Sequence, residues 1–137
     1  MIRRVLLLTA AVALGATISM TNEPASAKDN EASAAGKVLR HVVLFKFKDD
    51  VQPAQVEEVV DAFRELPKQI DAIESFEWGT NVSPENKAAG FTHCFFVTFR
   101  DEKGRDAYLP HAAHKAFGKI VGPRLDKVLV VDYWTEK

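Results

Sequence analysis

The chain has one cysteine, Cys94, in 137 residues. A single thiol cannot close an internal disulfide or build a zinc finger. There is no surplus of positive charge: 18 Lys and Arg stand against 19 Asp and Glu, a net charge of −1. Nucleic-acid binding needs a basic footprint, so nucleic acid is not an expected partner. No Gly-rich phosphate loop, Ser-centred nucleophile elbow or haem-attachment motif occurs, so none of those chemistries is signalled. There is no internal repeat. The length allows one domain and excludes large cofactor folds built from two halves.

A long membrane span is also missing. The N-terminal apolar run covers residues 5–18, short of the roughly 20 residues a span requires. Arg3 and Arg4 precede that run, and Ala25-Ser26-Ala27 follows it. Charge, apolar core and small residues in this order read as a secretory signal peptide, 1–27. Cleavage after Ala27 predicts an exported protein, periplasmic or secreted, with no membrane attachment afterwards. Residues 28–37 are rich in Ala, Ser and charge and read as a flexible leader. The folded unit is expected over 38–137.

What is present in that unit is aromatic and β-branched. Residues 41–48 alternate as a strand, with His41, Val43, Phe45 and Phe47 on one face. Pro53 suits a first helical turn. Val56, Val59, Val60 and Phe63 then form one helical stripe. Residues 73–82 and 91–100 read as two further strands. In the second, Cys94 alternates with Thr92, Phe96 and Thr98 onto the face opposite His93, Phe95, Val97 and Phe99, and a buried, inert thiol is expected there. A short helix is expected over 101–109, broken by Pro110, and another through Phe117 to Val121, ended by Gly122-Pro123. A last strand spans 128–134. It is apolar on both faces apart from Asp132.

The order strand, helix, strand, strand, helix, helix, strand fits an α+β ferredoxin-like subunit with an antiparallel sheet. Helices cover one face of such a sheet. Val42, Leu44 and Phe96 lie on the other, and an apolar face of that size is expected to be buried by a second copy.

All four histidines fall in this unit. His41 and His93 begin matching apolar faces of two strands. Tyr108, His111 and His114 surround the helix break. On a continuous helix, Tyr108 and His114 would face apart; the break at Leu109-Pro110 lets both reach one pocket. His111 lies nearer the edge of the apolar stripe. No Asp or Glu joins the histidine stripe, and all-histidine closed metal sites are uncommon, so no metal is expected.

The run His41-Val42-Val43-Leu44-Phe45-Lys46-Phe47-Lys48, Trp78-Gly79, Gly90-Phe91-Thr92-His93, Tyr108 to His114, Phe117-Gly118 and Val131-Asp132-Tyr133 together resemble the stress-responsive dimeric α/β-barrel (Dabb) family. The resemblance covers about residues 37–135. It implies a ferredoxin-like subunit paired into a barrel-like homodimer. In a plant polyketide cyclase of that family, the catalytic histidine and tyrosine match His114 and Tyr108, and two pocket histidines match His41 and His93. A pocket tyrosine of that enzyme falls at Phe63 here.

Two functions follow as expectations. One is a dimeric binding protein holding a small apolar carbonyl ligand. The other is a cofactor-free cyclase-like lyase. His114 would then be the general base, Tyr108 would donate to the carbonyl oxygen, and His41 and His93 would bind the polar end of the substrate. Phe45, Phe63 and Phe95 are candidates for the apolar wall. Monooxygenases acting on haem or quinols among related dimeric barrels give a third possibility, but nothing here marks a haem ligand more clearly than a pocket histidine.

Overall fold

The computed structural model describes residues 36–135. The expected signal peptide lies outside these residues, as does the leader except for its last two positions. Four strands and three helices follow one another: β1 (Leu39–Phe47), α1 (Pro53–Arg64), β2 (Ser75–Thr80), β3 (His93–Phe99), α2 (Glu102–Tyr108), α3 (Ala112–Val121) and β4 (Leu125–Trp134). The sheet order is β2-β3-β1-β4, antiparallel throughout. This is the ferredoxin-like α+β fold that the element order predicts.

Local chemistry sets the helix starts. Pro53 occupies the first turn of α1, and the Gln55 side-chain oxygen accepts from the Gln52 N–H at 2.9 Å. Asp101 caps α2 by accepting from the Gly104 N–H at 2.9 Å. Such caps satisfy amides that have no partner inside the helix.

The helices pack on one sheet face, and phenylalanines fill the space between. Phe63 of α1 lies 4.5 Å from Phe95 and 4.7 Å from Phe117, ring centroid to centroid. Phe45 joins them, 5.1 Å from Phe95. Offset and tilted rings at these separations are favourable beyond the area they bury.

The helices stop short of β4. Register pairs Val128, Val130 and Asp132 with Phe45, Val43 and His41, so all six share the helix side of the sheet. Yet Val128 and Val130 are 53% and 50% exposed. Leu129, Val131 and Tyr133 point to the opposite face and are also exposed. β4 is thus an apolar edge strand uncovered on both sides, with a cleft beneath it and a bare sheet face above.

One sequence expectation needs correction here. Cys94 was expected to be buried. It sits on the bare face opposite Leu44 and Gly79, and it is half-buried. Strand alternation puts it on the side with no helix. Partial burial, with the Glu77 carboxylate nearby, still pushes its thiol pKa up, which disfavours the reactive thiolate.

Candidate functional site

The site is built where α2 gives way to α3. In an unbroken helix the Ala113 N–H would donate to the Leu109 carbonyl. Here it donates instead to Nδ1 of His111, at 3.2 Å. The Leu109 carbonyl is taken by Nδ1 of His114, at 2.9 Å. Two imidazoles therefore stand in for one missing backbone bond.

That exchange fixes the ring chemistry. A carbonyl oxygen only accepts, so Nδ1 of His114 carries the hydrogen, and Nε2 of the neutral ring keeps its lone pair. His111 accepts through Nδ1, so it serves as the cap of α3.

The break also brings Tyr108 against His114, with ring centroids 4.3 Å apart. His41 meets the Tyr108 ring nearly edge-on at 5.7 Å. All three line the cleft under β4, whose volume is about 380 Å³. That lies in the range of small-ligand pockets. Phe45 and Phe63 form its floor, and Val128 and Val130 form its outer wall. One end is polar and the rest is apolar.

Tyr108 is 1% exposed. Burial pushes its phenol well above the usual tyrosine range, so it stays a hydrogen-bond donor throughout ordinary conditions. Among the described residues no buried side-chain polar atom lacks a partner. The Tyr108 side chain borders the cleft, packed against the His114 and His41 rings.

His41 is held by a charged chain. Its Nδ1 lies 2.7 Å from Oδ1 of Asp132, and a carboxylate accepts, so Nδ1 donates. Oδ2 of Asp132 accepts from Arg105 at 3.2 Å. Arg105 also donates to Asp106 at 3.0 and 3.1 Å. These carboxylates, Asp106 first, hold the guanidinium pKa above its ordinary value. Sequence reasoning noticed Asp132 as an exception in an apolar strand and within the run Val131-Asp132-Tyr133, gave it no role, and passed over Arg105. The lone charge on the helix side of β4 was the available signal.

Not every expected residue reaches the cleft. His41, Tyr108, His114, Phe45 and Phe63 do. His93 sits at the far end of the sheet, stacked parallel to Trp78 and edge-on to Phe47, with Nδ1 2.9 Å from the Thr92 hydroxyl. Burial lowers its pKa and favours the neutral ring. Phe95 is fully buried behind Phe45 and Phe63. A second cavity of about 310 Å³ opens on the bare face beside Leu44, Cys94 and Phe96. Glu77, Asn81, Thr92 and His93 also line it, so His93 borders this cavity and not the cleft under β4. Among the described residues no three His, Cys, Asp or Glu side chains are grouped to hold a metal ion. None of the described helices is long and apolar enough to cross a membrane.

Comparison with known proteins adds to this geometry. The family model "Stress responsive A/B Barrel Domain" matches residues 39–135. The stress-response A/B barrel domain-containing protein HS1 of Arabidopsis thaliana is 41% identical over 95 residues, covering 69% of this chain and 87% of that protein. Olivetolic acid cyclase of Cannabis sativa is 34% identical over 99 residues, covering 72% of this chain and 98% of that enzyme. A dimeric ferredoxin-like protein of unknown function from Thermobifida fusca superposes with a TM-score of 0.63 at 28% identity, covering 72% of this chain and 92% of that one.

The raised Tyr108 pKa makes stability depend on alkaline pH. The phenol keeps its proton longer in the folded than in the unfolded chain. Stability is therefore full below the unfolded value, about 10, and falls as pH rises beyond it. The slope reaches at most about 1.4 kcal/mol per pH unit for one proton. Urea unfolding of the wild type between pH 9 and 11.5 should show this decline, and Tyr108→Phe should remove that component. An equal decline in the variant would assign it to other groups.

Proposed function

The chain belongs to the stress-responsive A/B barrel domain family, and on that premise we propose that it is an exported homodimer binding a small, mostly apolar carbonyl compound in the cleft under β4. The observation that carries this reading is the convergence of Tyr108, His114 and His41 at the polar end of an otherwise apolar cleft. The Tyr108 hydroxyl donates to the ligand oxygen. The apolar floor and wall take the body. A neutral head fits better than a carboxylate, because the Arg105 guanidinium at this end is already committed to Asp132 and Asp106.

A second reading is catalytic, and the orientation of His114 favours it. Among the described residues none hydrogen-bonds Nε2 of the neutral ring, so it is a base with no partner there to displace. It takes a proton from the carbon beside the carbonyl; the C–H electron pair moves into an enolate, whose oxygen Tyr108 stabilises. The proton rests on Nε2 and returns to carbon or to a leaving group. The 34% identity to a cyclase supports a carbonyl compound as the substrate class.

Both readings meet one pair of variants. The naphthyl ketone 6-propionyl-2-(dimethylamino)naphthalene emits further to the blue away from water. The wild type should bind it, and Tyr108→Phe should bind it about tenfold more weakly, the worth of one hydrogen bond. If the wild type also catalyses deuterium exchange at the benzylic carbon of 2-tetralone, His114→Ala should slow it by about 10²- to 10⁴-fold. Wild-type binding and exchange in both variants would remove the cleft as the site.

The homodimer rests on the bare sheet face. Leu44, Phe96, Leu129, Val131 and Tyr133 present apolar area there that one subunit does not cover. Leu44→Lys puts an unpaired charge into that face and should yield monomer or unfolded chain by light scattering. A variant that stays a dimer would move the interface elsewhere.

Export rests on the N-terminal sequence alone. Intact-mass measurement of the exported protein should give Lys28 as its first residue. A mass that retains Met1 would reject processing.

A further inference from the structure

Gly118 lies inside α3, where a glycine destabilises a helix relative to alanine. Its backbone does not need the freedom that glycine offers, because it sits within regular helix and has no positive φ. Nor does packing require it: a Cβ built at Gly118 meets nothing within 4 Å. Neither of the usual structural reasons for a helical glycine applies.

The position does have a distinctive place. Gly118 lines the cleft, and it is four residues beyond His114. Residues at i and i+4 lie one above the other on a helix face. The missing side chain therefore leaves its space beside the His114 imidazole, on the apolar side of the cleft. Phe117 and Val121 flank it from the core side.

From this we propose that Gly118 is a specificity-determining residue: its empty position admits the apolar body of the ligand against α3, next to Nε2 of His114. The inference rests on the cleft being the ligand site. It adds the expected ligand shape, a bulky or planar apolar group directly attached to the carbonyl carbon.

The test compares Gly118→Ala and Gly118→Val with Gly122→Ala in the full chain. Gly122 has αR backbone angles and open space around it too, but it does not line the cleft. Thermal unfolding and binding of 6-propionyl-2-(dimethylamino)naphthalene are measured on each. Alanine in an unstrained helical position stabilises, so Gly118→Ala should raise the unfolding midpoint by about 2–8 °C. The same variant should weaken ketone binding by about tenfold, and Gly118→Val should weaken it further. Gly122→Ala should bind like the wild type. Should the Gly118 variants keep full affinity while Tyr108→Phe loses it, the cleft stands and the role of Gly118 is wrong. Should the wild type fail to bind, or all variants bind alike with Tyr108→Phe included, the cleft reading and this inference fall together. A Gly118→Val that unfolds leaves Gly118→Ala to decide.

Discussion

One absent backbone hydrogen bond, from Ala113 to Leu109, organises the chemistry of this molecule. Were α2 and α3 one continuous helix, Tyr108 and His114 would point apart. Pro110 sits in the gap and has no N–H to carry a helix onward. The two groups released by the break, the Ala113 N–H and the Leu109 carbonyl, each take an imidazole. His111 is consumed as an acceptor. His114 is consumed as a donor through Nδ1, and that leaves Nε2 available. The turn that sets Tyr108 against His114 is the same turn that sets the His114 tautomer, so position and protonation are not independent.

A second constraint is the shortage of helix. Three short helices cannot cover four strands. α1 and α3 pack over β1 and β3, and β4 is left with apolar side chains exposed on both faces. On the helix side this shortage creates the cleft. On the other side it creates a surface that a monomer in water would hold at a cost. A larger third helix would fill the cleft and leave no binding site. The open ligand space and the need for a cover on the bare face arise from one feature of the fold.

Much of this was readable in the chain. The period-2 pattern of 41–48 and 91–100 placed the phenylalanines on one face, and the Val56 to Phe63 stripe supplied the helix that covers them. The Leu109-Pro110 break was enough to bring Tyr108 and His114 together. Strand ends moved by at most three residues, the most at β4, which begins at Leu125, before the apolar run at 128. Alternation assigns a face but not a distance along the strand, which is why His93 shares a face with His41 and yet lies too far along β3 to meet it. Arg105 was illegible, because a charged residue on a short helix reads as solvated until β4 brings Asp132 beneath it.

The floor and the rim of the cleft answer to different physics. Phe45 and Phe63 line the cleft and also belong to the ring cluster with Phe95 and Phe117. Cutting either one back loses ring packing worth about 3–5 kcal/mol as well as a cleft wall, so stability and binding would change together. Residues at the rim are not held this way. Leu109, Gly118, Val128 and Val130 touch the cleft while remaining largely exposed, and their size can change without disturbing the core. Selection for a different ligand would therefore act on the rim while the phenylalanine floor stayed constant, and the polar end would keep its Tyr108 and His114 arrangement for as long as the Leu109 carbonyl remained free to hold it.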